Sequence, residues 1–227
     1  MTTEWIALVP AKAFTRAKSR CVGLTPDARR LLARAMLTDT VRRLRAVPAV
    51  RSVVVVTTDP EVTGLALAER AAVTGSGRFP GLNGEAGEAL ELIGGTAPAA
   101  ALVLIMGDLA GAGTADHTRA LALAARHRRA VVGDADGTGT TLLTLREAAD
   151  FRPFLGPGSL ARFHAAGYHH LGVGPASPLR RDVDTVDHLL ALPPHTLGPA
   201  TREWLTAFRP DGPQPRTTAH ERKVGAL

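Results

Sequence analysis

Residues 101–106 form an unbroken apolar run, Ala101-Leu102-Val103-Leu104-Ile105-Met106, and residues 52–57 carry four valines in a row. A strand turns alternate side chains to opposite faces. A run that is apolar throughout must therefore be covered on both faces, as in a mainly parallel sheet with crossover helices. Residues 5–9 read the same way. Between these runs the spacing turns helical. Thr25-Pro26-Asp27 opens a helix over 25–46: Thr suits the N-cap, Pro the first turn and Asp its positive end. Leu31, Ala35, Leu37, Val41 and Leu44 then keep one apolar face. Helices are also predicted over 61–72, 83–93 and 114–127, and a short strand over 130–132. The order β-α-β-α-(short β)-α-β-α-β predicts an α/β fold: a three-layer α/β/α mixed sheet of Rossmann-like type.

The second half is less regular. Strands are predicted over 140–145, 169–173 and 179–184, and helices over 159–166, 186–192 and 198–208. Residues 1–208 are expected to form one domain, and 209–227, rich in Pro, Arg, Thr and Gly, a disordered tail. At 227 residues and 45% hydrophobic, the chain can bury a substantial core. With 4% aromatics, that core must be Ala, Val and Leu. Cys21 is the one cysteine, so no intramolecular disulfide forms. No apolar run approaches the roughly 18 residues of a membrane span, and the N-terminus has no signal-peptide pattern, so a cytoplasmic protein is expected. The formal charge of +6 fits a nucleic-acid partner, Arg-rich helix faces or a small anionic substrate. Because Lys12, Arg16, Lys18 and Arg20 crowd one loop, the anionic substrate is favoured. Aromatics for base stacking are scarce, so nucleic acid is not expected.

Several motifs carry chemistry. The basic loop follows the first strand, where open α/β sheets bind ligands. Its cations, with Pro10 before them, suit a triphosphate, although no Walker glycine run precedes them. Asp108, in Gly107-Asp108-Leu109, stands just past the apolar run. Asp182 and Asp184 share a face if 179–184 is a strand. Carboxylates at strand ends suit Mg²⁺, a hard cation that takes oxygen ligands. The alternatives are salt bridges to Arg180 or Arg181 and capping of the next helix by Asp184 or Thr185. Asn83, in Gly81-Leu82-Asn83, is either an ordinary N-cap or a phosphate or sugar contact. Gly137-Thr138-Gly139-Thr140-Thr141 and Gly156-Pro157-Gly158-Ser159 together fit an anion pocket for a second substrate. The histidines show no metal-ligand spacing.

Taken in order, these motifs resemble the guanylyltransferases of deazaflavin coenzyme F420 biosynthesis. The series is Val9-Pro10-Ala11-Lys12 with Ala17-Lys18-Ser19-Arg20, then Thr57-Thr58-Asp59-Pro60, Gly81-Leu82-Asn83, Gly107-Asp108-Leu109 and Gly137-Thr138-Gly139-Thr140-Thr141. It ends with Gly156-Pro157-Gly158-Ser159 and Asp182-Val183-Asp184-Thr185. The resemblance implies the nucleotide-diphospho-sugar transferase fold, Mg²⁺, and transfer of GMP from GTP to phosphoenolpyruvate or 2-phospho-L-lactate. It implies that Asp108 and Asp182 bind metal, and that Thr140, Gly156 and Ser159 hold the acceptor. Lys12, Lys18 and Arg20 are then the catalytic cations, and Pro10, Lys12, Lys18 and Asn83 the nucleotide contacts. The chain departs from the family pattern at Ala110, Leu155 and Val186, where Pro, Phe and Pro are usual, and these changes bear on the acceptor pocket. Other readings are a same-fold enzyme using 3-phospho-D-glycerate or a sugar phosphate, and a non-catalytic nucleotide-binding protein. The expected partners are GTP and a small phosphorylated carboxylic acid, with the protein a monomer or homodimer.

Overall fold

In the computed structural model, which describes residues 3–208, the two fully apolar runs become neighbours of one central strand. β1 (Trp5–Pro10) lies between β2 (Val50–Val56) and β4 (Ala101–Ile105), parallel to both. All five residues of β4 are buried, as a strand covered on both faces requires. The short strand expected between the second and third helices is β3 (Ala72–Thr74), on the far edge of β2. Beyond β4 come β6 (Thr140–Leu145), β5 (Arg129–Gly133) and β7 (His169–His170), giving the order β3-β2-β1-β4-β6-β5-β7. β6 runs antiparallel to both neighbours, which makes the sheet mixed.

Helices cover both faces. α1 (Pro26–Arg45), α2 (Pro60–Ala68) and α4 (Thr114–Ala124) bury Leu37, Val41, Val62, Leu65, Ala120 and Leu121 against one side. α3 (Leu82–Thr96) and α5 (Ser159–Ala165) bury Leu90, Ile93 and Phe163 against the other. The helix starts have stated causes. The Thr25 side chain accepts from the Ala28 N–H, and Asp59 accepts from the Glu61 and Val62 N–H groups, each with Pro in the first turn. After the short helix α6 (Val186–Leu190), α7 (Pro199–Ala207) folds back onto α1 and closes a third cluster with Leu32, Met36 and Trp204. Asp39, buried within α1, accepts from the Ala200 and Thr201 N–H groups at 3.1 and 2.8 Å, capping α7 from another helix.

Three boundary expectations need correction. The helix predicted over 61–72 stops at Ala68, because the chain turns at Arg70 with φ +57° to start β3. The strand predicted over 169–173 keeps ladder pairing only at His169–His170. Residues 179–184 form no strand: Pro178–Arg180 is a 3₁₀ turn, and the extended stretch after it has no place in the sheet. The predicted disordered tail over 209–227 lies outside the described residues.

Candidate active site

The chain winds outward from β1 through β2 to β3, then returns to the other side of β1 as β4. That reversal opens a crevice at the carboxyl ends of β1 and β4, where α/β sheets take ligands. A cleft of about 640 Å³ lies there. Pro10 lines it from the end of β1, Lys12, Lys18 and Arg20 from the loop that follows, and Asp108 from the turn after β4. Thr140 and Gly156 line it from beyond β4. Thr140 arrives there because β6 is antiparallel, so the first residue of β6 lies at the carboxyl end of β4. The Met106 N–H bonds the Thr141 carbonyl at 3.0 Å, fixing that meeting.

Asp182 and Asp184 reach the cleft without the expected strand. The Val183 N–H donates to the Asp108 carbonyl at 3.0 Å, and the Val183 side chain is buried. With Val183 turned inward, the two aspartates on either side face Asp108. One carboxylate oxygen from each of the three lies within 4.8 Å of the others. The alternation argument thus holds for an extended segment that belongs to no sheet. The capping alternative for Asp184 does not hold, since Thr185 caps α6 by accepting from the His188 N–H.

Three carboxylates this close repel one another unless cations intervene. The Lys18 ammonium donates to Val183 O at 2.6 Å and lies 3.3 Å from Asp108 Oδ2, with its side chain only 9% exposed. Its backbone is left-handed at φ +54°, a conformation a lysine rarely adopts. Arg20 meets Asp184 at 2.6 Å from an exposed position. Burial, then the nearby charges of Asp108 and Asp184, raise the Asp182 pKa above the ordinary aspartate value. Asp108 Oδ1 is buried with no hydrogen-bond partner among the described residues. An orphaned carboxylate oxygen in an all-oxygen cluster fits a hard divalent cation, which would satisfy it. Cys21, beside this cluster, donates to Asp184 O, and burial raises its thiol pKa.

Two expected contacts lie behind the cleft wall. Ser159 is fully buried, and its hydroxyl donates to Thr140 Oγ1 at 2.9 Å, so it supports Thr140 from behind. Asn83 does not cap α3. The N-cap is Gly81 at φ +92°, and both polar atoms of the Asn83 side chain are bonded to the backbone of Leu155. Sequence reasoning missed Asp134. Its carboxylate accepts from the Thr138 and Gly139 N–H groups at 2.8 and 2.7 Å and shapes the glycine turn before Thr140. An Asp ahead of Gly-Thr-Gly is a turn signal that could have revealed it. Leu82, Glu85 and His188 also line the cleft without having been foreseen.

A mixed sheet with a basic loop facing clustered carboxylates at its switch point is suited to nucleotide phosphate chemistry. Solved structures share the fold. A putative nucleotide-diphospho-sugar transferase from Desulfovibrio desulfuricans aligns with TM-score 0.62 at 18% identity, covering 82% of this chain and 85% of that one. A Mycobacterium tuberculosis protein solved in complex with manganese aligns at 0.55 and 18%, covering 87% and 99%. The chain belongs to the family described as "Guanylyl transferase CofC like", which matches residues 5–226. Relatives named phosphoenolpyruvate guanylyltransferase include one from Sanguibacter keddieii, 38% identical over 88% of this chain and 84% of its own length. Another, from Geodermatophilus obscurus, is 40% identical over 92% and 97%.

Proposed function

We propose that this protein transfers GMP from GTP to phosphoenolpyruvate, releasing diphosphate, as a step toward coenzyme F420. The observation that carries the reading is the cleft itself. A cationic loop for a triphosphate and a carboxylate cluster for a metal ion face a hydroxyl-and-glycine wall formed by Thr140 and Gly156. The names of the relatives at 35–40% identity supply the base and the acceptor.

The acceptor's phosphate oxygen attacks the α-phosphorus of GTP. A new P–O bond forms, the bond to the β-phosphate oxygen breaks, and the electron pair leaves with diphosphate. A phosphate with a second pKa near 6 is already anionic at neutral pH, so no general base is needed. Catalysis is then positioning and charge neutralisation. Lys12, Lys18 and Arg20 hold the triphosphate, with Pro10 beside them. Thr140, backed by Ser159, and the Gly156 backbone hold the acceptor. Asp108, Asp182 and Asp184 would hold Mg²⁺, whose chemistry when bound is to neutralise charge on the phosphoryl oxygens. The same reading takes residues 1–208 as one domain working in the cytoplasm as a monomer or homodimer. Among the described residues, no helix is long and apolar enough to cross a membrane.

The test is a matrix. Each NTP is offered with phosphoenolpyruvate, 2-phospho-L-lactate and 3-phospho-D-glycerate, and diphosphate release is measured. GTP with phosphoenolpyruvate should be fastest. Preference for ATP, or release with none of the acceptors, refutes the proposal.

A further inference from the structure

α3 lies along the segment that leads to the acceptor loop, and its glycines let it come close. A Cβ on Gly94 would fall 2.5 Å from the Ala148 Cβ, and one on Gly87 would fall 3.4 Å from the Phe151 ring. Those contacts lie along the body of the helix. At its cleft end the attachment changes from packing to hydrogen bonding. The Asn83 Nδ2 donates to the Leu155 carbonyl at 2.9 Å, and the Leu155 N–H donates to Asn83 Oδ1 at 2.8 Å. This is a two-point clamp on a single residue's backbone. Leu155 is itself buried, and the next residue, Gly156, lines the cleft at φ +117°. On the other side of the clamp, Leu82 lines the cleft next to Asn83. The side chain thus joins two walls of the site and is not itself part of its lining.

We propose that Asn83 is a positioning residue for the acceptor. By fixing both backbone groups of Leu155 it sets where the Gly156 backbone is presented, and it touches neither substrate. The inference rests on the proposed function for the identity of the acceptor and on the hydrogen bonds alone for the clamp. Other contacts also hold the segment: the Leu155 side chain is buried, and the Arg162 guanidinium separately donates to the carbonyls of Phe154 and Pro157 at 2.8 and 2.9 Å. What only Asn83 supplies is the register of the residue between them.

The experiment measures KM for each substrate and hydrogen exchange at the Leu155 amide in wild type, Asn83→Ala and Asn83→Asp. Loss of both hydrogen bonds should raise the acceptor KM by about tenfold or more. The GTP KM should stay within about twofold, and exchange at Leu155 should quicken by about tenfold. Asn83→Asp keeps an acceptor for the Leu155 N–H but turns an oxygen toward the Leu155 carbonyl. It should show the same KM split, and it decides the matter if the alanine variant folds poorly. A GTP KM that rises as much as the acceptor's overturns the inference, as does an acceptor KM that stays put. Wild type inactive with every acceptor would refute the proposed function instead. The Leu155 exchange rates alone would then decide the clamp, with unchanged rates overturning it.

Discussion

Asp108→Asn separates a cation site from a mere cluster of acids, because its two effects differ in size. The ligand oxygens of Asp108, Asp182 and Asp184 lie within 4.8 Å of one another. At an effective dielectric near 20, two unit charges at that distance repel by about 3.5 kcal/mol. The substitution removes two such pairs, about 7 kcal/mol, and also the Lys18 attraction at 3.3 Å, about 5 kcal/mol at the same dielectric. The two contributions largely cancel, leaving about 2 kcal/mol at that separation, and solvent screens all three pairs because Asp108 is 30% exposed. In chelator, then, the variant should unfold within a few degrees of wild type. Mg²⁺ at about a hundred times its Kd should stabilise wild type by about 2.7 kcal/mol, or about 5–10 °C in Tm for a domain of this size. The variant should gain almost nothing, and its diphosphate release should fall by about 10²–10³-fold. Thermal scans with and without Mg²⁺, alongside turnover, read both effects. A variant that keeps the Mg²⁺-dependent Tm rise and full turnover, or a wild type fully active in excess chelator, refutes the site.

Three further outcomes are expected. His117 in α4 is 1% exposed, its Nδ1 has no partner among the described residues, and burial lowers its pKa from 6.5 to about 4, against a weaker opposing pull from Asp116. The unfolded chain therefore takes up a proton below pH 6.5 that the fold refuses until about pH 4, so stability falls on acidification through that window. Between pH 6.5 and 5 the loss is about 1.6 kcal/mol, and urea unfolding of His117→Leu should lack it; an equal loss in the variant refutes the assignment. Asp39→Ala removes both acceptors at the start of α7 and should cost about 2–3 kcal/mol by denaturant titration, with a cost under about 0.5 kcal/mol counting against the cap. Direct attack leaves no enzyme-bound nucleotide, so α-labelled GTP without acceptor should leave the denatured protein unlabelled, and stable label on a lysine overturns the mechanism.

How legible the molecule is depends on whether the cause is local. Strands β1, β2 and β4 follow from their two-sided apolarity, and the start of α1 from Thr25-Pro26-Asp27, because each cause lies within a few residues. Asp108, Asp182 and Asp184 are legible for a related reason: one follows a buried strand, and the others flank a single buried valine. The loss of the predicted strand over 179–184 was not legible. A strand needs a ladder of backbone partners, and among the described residues the stretch makes one non-local backbone–backbone hydrogen bond, from the Val183 N–H to the Asp108 carbonyl. Nor was the role of Asn83 legible, since its partner Leu155 lies 72 residues away and no local pattern connects them. Lys18 lines the cleft, but a sequence cannot show that its ammonium rests between Asp108 and the Val183 carbonyl.

The antiparallel β6 is the part of the architecture that the proposed chemistry depends on most. Parallel strands all bring their carboxyl ends to one edge of the sheet, and here that edge supplies the basic loop after β1 and Asp108 after β4. Had β6 run parallel as well, Leu145 would stand at the cleft. Thr140 would then lie about 17 Å away, the length of five strand residues. Reversal instead places the start of β6 against the end of β4, where Ile105 pairs with Leu142. The turn before β6 then delivers Thr138, Gly139 and Thr140 to the wall facing the carboxylates, held in shape by Asp134. Since α5 starts at Ser159 and its hydroxyl bonds Thr140, the loop carrying Gly156 is drawn to the same wall. In the proposed reaction, this wall would hold the acceptor through backbone and hydroxyl groups. The cations remain on the other wall, where a triphosphate needs them.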